Sequence, residues 1–339
     1  VILIDAPEPD ARLAERGDGA PAPLLAALHL TVRYGDRLAL DDFSFEVFAG
    51  EVVALLGPNG AGKTTTFSVL ATLRAPDAGQ AWVAGKRVDL EPSAVRSVLG
   101  LVPQSLALYP SLTARENLLF FARVLGLRGG RAREAAARVL ERVGLEDRAD
   151  EPVSQYSGGM RRRLNLACGV LHTPRVLLLD EPTVGVDPQS RERIFETVRA
   201  QADAGVAVLY STHYMEEAER LCDRVLLIDH GKLVASGTPA ALARAGRRAL
   251  VLELVTRDPL PDGWLEGLVD ADPAAARRST PASVTRTGHA ARVEVPDLAS
   301  AARAVERAAA RGGEVLRFDL HQPGLEELFF ERTGRALRD

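Results

Sequence analysis

Between about Leu25 and Pro239, short apolar runs alternate with stretches whose apolar positions recur at helical spacing, the pattern of an α/β sheet domain. "EVVALL" (51–56) and "VLLL" (176–179) are nearly unbroken apolar runs, expected for parallel strands buried on both faces. A further strand is expected at "AVLYST" (207–212). Within "SLTARENLLFFARVLGL" (111–127), Thr113 and Glu116 have capping-box spacing, so a helix should open there. After Pro239 the pattern changes. Strands are expected at "ALVLELV" (249–255), "ARVEV" (291–295) and "EVLRFDL" (314–320), with helices at "LASAARAVERAAA" (298–310) and "GLEELFFERTG" (324–334) and a polar loop at 273–283. Residues 240–339 thus read as a small α+β accessory domain. Residues 1–24, rich in Ala, Pro, Gly and charge, read as a disordered tail.

Composition narrows the function. The chain has 339 residues and 46% hydrophobic content, enough for two domains with their own cores. Its formal net charge of −4 argues against a nucleic-acid partner, which calls for a basic excess. Cys168 and Cys222 are too few for a disulfide framework and not spaced as a metal knuckle, as in a reduced, cytosolic compartment. No apolar run approaches the ~20 residues that cross a bilayer, and the first residues do not read as a signal peptide. A membrane role would therefore come through a partner. Only three of the 42 basic residues are lysines, Lys63, Lys86 and Lys232, so each retained lysine invites a reason.

Lys63 has one. It lies in Gly57-Pro58-Asn59-Gly60-Ala61-Gly62-Lys63-Thr64-Thr65, after an apolar strand and before a helical pattern. This is the phosphate loop G-x-x-x-x-G-K-[ST] in its required setting. Phosphate oxygens have to approach backbone N–H groups closely, and Cβ atoms at Gly57, Gly60 and Gly62 would obstruct them. The loop amides and helix N-terminus make an electropositive nest. Lys63 is expected to reach the β- and γ-phosphates of a nucleoside triphosphate, and the Thr64 hydroxyl to ligate Mg²⁺. A second signal is "RVLLLDEPTVGVD" (175–187), a strand ending on Asp180 and Glu181. Ligands of open α/β sheets bind beyond the carboxyl ends of strands. Asp180 is placed to hold the Mg²⁺ shell, and Glu181 to accept a proton from the water that attacks the γ-phosphate.

"YSGGMRRRLNLACGV" (156–170) reads either as a basic surface patch or as a helix mouth facing a phosphate. Ser157 is a good N-cap, and the amides after it are unsatisfied donors at the positive end of a helix dipole. Met160, Leu164, Ala167 and Leu171 fall near one face. Arg161, Arg162 and Arg163 fan around the helix about 100° apart instead of forming a stripe.

The ordered series "GPNGAGKTT", "VPQ", "YSGGM", "VLLLDEP" and "STH" resembles the ATP-binding cassette (ABC) ATPases over roughly residues 25–239. That resemblance implies a P-loop NTPase fold, a RecA-like core with a helical subdomain at about 105–172. It implies that Ser157, Gly158 and Gly159 cover the γ-phosphate of ATP held by an opposite subunit. Tyr34 would stack on adenine, Gln104 would touch Mg²⁺ and the attacking water, Asp187 would cross the dimer interface, and His213 would contact the γ-phosphate. Tyr156 and Met160 stand where the family usually has leucine and glutamine.

The same resemblance implies a head-to-tail homodimer closed around two ATP–Mg²⁺ and docked on a polytopic membrane permease at the cytoplasmic face of the membrane. "YSGGMRRRL", "PTVGVDPQSR", "STHYMEEAERLCDRV" and "PGLEELFFERTGR" are similar to the daunorubicin-type drug-resistance exporters, so export of a drug-like or lipophilic compound is expected. The alternatives are transport of a lipid, polysaccharide or ion, or a soluble ATPase acting on DNA or ribosomes. Against the soluble class, Lys63 and Asp180 are only 117 residues apart, too close for an inserted coiled coil, and the chain holds one cassette.

Overall fold

The structure, a computed structural model, describes residues 2–3, 21–245, 250–261, 264, 284–287, 289–295, 297–312, 314–321 and 324–333. Contacts divide it into two compact units, one running to Pro239 and the other from Ala240 to Arg335. The first unit begins with β1 (Ile2–Leu3), β2 (Leu25–Tyr34), β3 (Arg37–Val47), β4 (Val52–Leu56), α1 (Lys63–Leu70), β5 (Ala78–Val83), β6 (Lys86–Arg87), α2 (Pro92–Val98) and β7 (Leu99–Val102). It continues with α3 (Ala114–Val124), α4 (Gly129–Arg142), α5 (Gly158–Val170), β8 (Val176–Asp180), α6 (Pro188–Asp203), β9 (Ala207–Thr212), α7 (Met215–Leu221), β10 (Arg224–Asp229) and β11 (Lys232–Gly237).

One sheet has the order β1-β11-β10-β4-β9-β8-β7, with β10, β4, β9, β8 and β7 all parallel. A second, antiparallel sheet has the order β3-β2-β5-β6. The main core lies between them and around α1, joining Leu55, Leu178 and Leu209 of the first sheet to Phe43 and Phe45 of the second and to Phe67 and Leu70 of α1. Burial of each such side chain contributes roughly 1.5–3 kcal/mol. Strand β4, and β8 up to its final Asp180, are apolar, sit inside the parallel sheet and are buried at every position, which is why they read as unbroken runs.

Register decides where the loops emerge. Leu56 pairs with Thr212, Ser211 with Asp180, and Leu179 with Val102. The ends of β4, β9, β8 and β7 therefore lie side by side, and the phosphate loop, His213, Glu181 and Gln104 all leave the same edge of the sheet.

Helices α3, α4 and α5 form the insertion between β7 and β8. The capping box is present: Glu116 N–H donates to Thr113 Oγ1 at 3.1 Å, and Thr113 N–H to Glu116 Oε2 at 2.9 Å. The helix it opens ends at Val124, before Gly126 with φ +84°.

The tail needs one correction. Ile2 and Leu3 are not disordered but pair in parallel with Ala235 and Ser236, adding an edge strand to the large sheet. Leu24 N–H also donates to Val47 O at 2.9 Å, so order begins before Leu25. Residues 4–20 lie outside the described residues.

The second unit contains β12 (Leu250–Thr256), β13 (Val284–Thr287), β14 (Ala290–Val295), α9 (Leu298–Gly312), β15 (Val315–His321) and α10 (Leu325–Thr333), with α8 (Pro239–Ala245) at the boundary. Its antiparallel sheet has the order β13-β14-β12-β15. Leu252, Leu254 and Val293 of the sheet pack with Ala301, Ala304 and Ala308 of α9. Strand β13 carries no alternation strong enough to announce it; it is formed by pairing with β14. The loop expected at 273–283 lies outside the described residues.

Candidate functional site

The phosphate loop turns from β4 into α1 through two glycines that no other residue can replace. A Cβ on Gly57 would lie 2.2 Å from Ile228 O. Gly62 has φ +114°, and its Cβ would come 2.7 Å from Ala39 O. The loop is also closed on itself, with Ala61 N–H donating to Pro58 O at 3.2 Å.

Lys63 is almost fully buried beneath this loop. Its ammonium donates to Gly57 O at 2.7 Å and Pro58 O at 3.1 Å, and it lies 3.3 Å from Glu181 Oε1. Burial holds its pKa below the usual lysine value, a shift opposed by the nearby charges of Glu181 and Asp180.

Glu181 is the hub. Besides Lys63, its carboxylate accepts from Gln104 Nε2 at 2.9 Å and faces His213 Nδ1 at 3.3 Å. Its backbone has φ +46°, a left-handed conformation costing roughly 1–3 kcal/mol for a residue other than glycine. Ser211 repays part of that by accepting the Glu181 N–H on its hydroxyl at 3.0 Å. The same hydroxyl donates to Asp180 Oδ1 at 2.7 Å, so one side chain orients both acids. Burial pushes the Asp180 carboxyl up, while its bonds from Ser211 and Thr64 pull it down. Asp180 and Thr64 offer the hard oxygen donors that suit Mg²⁺. Among the described residues no cluster of three or more His, Cys, Asp or Glu is placed to hold a metal ion.

One cavity is bordered by Tyr34, Asn59, Gly60, Gly62, Lys63 and Glu181, with Thr64, Thr65 and Gln104 also on its wall. Ser157, Gly158 and Asp187 do not border it. They form a second station: Ser157 is exposed at the N-cap of α5, where its hydroxyl accepts from Met160 N–H at 3.2 Å. A Cβ on Gly159 would lie 2.6 Å from Asp187 Oδ2, so signature and aspartate are packed against each other. Asp187 caps α6 through a 2.9 Å bond from Ser190 N–H.

The surroundings of these sites are shared with known proteins. Residues 40–184 match the family model "ABC transporter". Over 322 residues the chain is 38% identical to the linearmycin resistance ATP-binding protein LnrL of Bacillus subtilis (strain 168), covering 93% of this chain and 100% of that one. The chain belongs to the ABC transporter family. It is also 40% identical to the daunorubicin/doxorubicin resistance ATP-binding protein DrrA of Streptomyces peucetius, covering 90% of this chain and 91% of that one. The Nod factor export ATP-binding protein I of Burkholderia orbicola (strain AU 1054) is 41% identical, with 91% and 96% covered. The solved ATP-binding subunit of an ABC transporter superposes with a TM-score of 0.60 at 32% identity, over 66% of this chain and 92% of that one. As an ABC transporter ATP-binding subunit, the chain hydrolyses ATP in step with transport and works with a membrane permease subunit. Among the described residues no helix is long and apolar enough to cross a membrane.

The structure also accounts for one departure from the ABC signature. Tyr156 is buried, and its hydroxyl donates to Arg148 O at 2.5 Å. The ring is buried while the polar tip finds a backbone acceptor. Tyr156→Phe should lower stability by about 1 kcal/mol with ATPase activity retained. Urea denaturation checks this; an unchanged midpoint would show that the hydroxyl is dispensable.

Two of the three arginines at 161–163 tether the helix to neighbouring backbone. Arg162 donates to Gln104 O, and Arg163 donates to Val143 O at 2.6 Å and Gly144 O at 2.9 Å. Helix α5 is thereby fastened to the loop after β7 and to the C-terminal end of α4.

Sequence reasoning missed Ser211, and it missed Glu217. The buried Glu217 accepts from Thr183 Oγ1 at 2.7 Å, Thr212 Oγ1 at 2.8 Å and the Tyr210 hydroxyl at 2.9 Å. It ties the loop after Asp180 to the residue before His213. Ser211 and Thr212 lie in the "STH" triplet, but only strand pairing reveals what their hydroxyls hold.

Proposed function

We propose that the chain is the ATPase subunit of an exporter of drug-like or lipophilic compounds, acting as a head-to-tail homodimer at the cytoplasmic face of a polytopic membrane permease. The observation that carries the export reading is the extent of the likeness. Resistance and Nod-factor export proteins share at least 90% of this chain at 38–41% identity, which reaches well into the second unit and far beyond residues 40–184 of the family model.

The dimer reading is supported by the separation of the two stations. The cavity with Lys63 and Glu181 is not bordered by Ser157 or Gly158 of the same chain. Two copies facing in opposite directions would bring each α5 N-terminus, with its exposed Ser157, over the triphosphate of the other. There the helix dipole and free amides would neutralise γ-phosphate charge. Tyr34 would stack on adenine, and the loop amides from Gly57 to Thr65 would cradle the phosphates. Thr64 and Asp180, with Gln104 beside them, would hold Mg²⁺, which would supply neutralisation of phosphate charge. Glu181, oriented by Ser211, would take the proton of the attacking water, and His213 would lie on the γ-phosphate side of that carboxylate. Asp187, packed on Gly159, would meet the other protomer beside its triphosphate. Loss of the γ-phosphate removes the bridge between halves, and their reopening is the movement that a permease harnesses.

The test is made in the producing cell. Deletion of the chain should raise accumulation of an anthracycline-type dye, restored by the native protein and not by Glu181→Gln. The tagged protein should sit with an integral membrane protein after mild detergent extraction. Recovery on ribosomes, with dye accumulation unchanged by deletion, would overturn the reading.

A further inference from the structure

The Tyr34 ring borders the nucleotide cavity, and Arg74 does not. Yet the Arg74 guanidinium carbon lies 4.1 Å from the centroid of that ring. One face of Tyr34 is thus covered by a cation from outside the cavity, and the residue as a whole remains 48% exposed. Arg74 is held rigidly. Its Nη2 donates to Arg33 O at 2.5 Å and lies 3.5 Å from Asp77 Oδ2, which accepts Arg33 N–H at 2.7 Å. Both backbone groups of the residue before Tyr34 are therefore gripped by the Arg74–Asp77 pair. The Nε atom of Arg74 is shielded from solvent and has no hydrogen-bond partner, as expected of a guanidinium laid flat on an aromatic face.

Arg74 lies four residues beyond the end of α1, whose first residues are Lys63 and Thr64. A single chain segment thus carries phosphate ligands at its start and the support of the aromatic platform at its finish.

We infer that Arg74 is a positioning residue for the nucleotide base: it backs Tyr34 to make a guanidinium–phenol–base stack that favours purine over pyrimidine triphosphates. The inference rests on the reading that Tyr34 receives adenine. A cation on one face draws π-density from the ring and improves its stacking on an electron-rich base at the other face. The rigid clamp also holds the ring at a fixed height relative to the phosphate loop, which lowers the ordering cost of binding.

The experiment uses the full chain and measures dissociation constants for MgATP, MgCTP and inorganic tripolyphosphate by displacement of a fluorescent ATP analogue, with steady-state ATPase alongside. Arg74→Met keeps the apolar stem and removes the charge. It should weaken ATP about 3- to 10-fold, leave tripolyphosphate unchanged and shrink the preference of ATP over CTP, with the effect in KM and not in kcat. Arg74→Lys, which keeps a cation, should recover part of that preference. Tyr34→Ala should lose the preference altogether. If Tyr34→Ala loses it and Arg74→Met does not, the inference falls while the role of Tyr34 stands. If neither variant changes it, the adenine reading falls and takes the inference with it. Equal weakening of ATP and tripolyphosphate in Arg74→Met would mean only a disturbed α1, and tighter ATP binding would mean that the guanidinium competes for the base's face. Either result overturns the inference.

Discussion

Glu181→Gln is expected to lower the ATPase kcat by about 10³-fold while ATP binding survives. The substitution is isosteric, so the carboxylate's neighbours need not move far, but it removes the proposed proton acceptor. Three donors converge on this one group: Lys63 at 3.3 Å, Gln104 at 2.9 Å and His213 at 3.3 Å. An amide has one acceptor oxygen to share among them, which loosens the hub as well as neutralising it. With hydrolysis blocked, the ATP-closed homodimer should persist long enough to appear as an ATP-dependent species of doubled mass in size-exclusion chromatography. Phosphate release checks the rate. A kcat within tenfold of the native value would move the base elsewhere; a variant that stays monomeric with MgATP would sink the head-to-tail dimer.

Lys63→Ala is expected to weaken ATP binding roughly 10–100-fold, the loss of about 1.5–3 kcal/mol for hydrogen bonds made by a charged group. Lys63 is nearly inaccessible, and its ammonium already donates to the carbonyls of Gly57 and Pro58, so it is preorganised at the floor of the phosphate loop. Thermal unfolding with nucleotide gives a readout independent of turnover. At a concentration 100 times the native Kd, ATP stabilises the native fold by about 2.7 kcal/mol, and a 100-fold weaker variant keeps about 0.4 kcal/mol. A full ATP-induced shift in the variant would show that the lysine does not carry phosphate affinity. Truncation also removes the cation beside the buried Glu181, so the variant should be less stable even without nucleotide.

Much of what these predictions use was legible in short stretches of chain. The phosphate loop can be read directly because its contacts are local: Lys63 bonds to carbonyls only six and five residues before it, and Gly62 has to adopt a conformation that other residues resist. The Thr113–Glu116 capping box and the Ser157 N-cap close within three residues. Apolar runs such as "VVALL" and "VLLL" announced buried strands because a parallel strand covered on both faces has no polar side to show.

The sequence alone therefore determined the local pieces: a phosphate loop, an acid pair ending a strand, a capped glycine-rich helix start. Which pieces meet follows from the assembled sheet. An apolar run specifies burial but not its neighbour, so the pairings of Leu56 with Thr212 and of Asp180 with Ser211 come from the whole sheet. Those pairings, with that of Val102 and Leu179, bring Gln104 and His213, 77 and 32 residues from Glu181, onto one carboxylate. They also give Ser211 its two acids and Glu217 its three hydroxyls. The physical reason is range: caps and tight turns are satisfied within a few residues, whereas a buried charge is satisfied by whatever donor the fold carries to it.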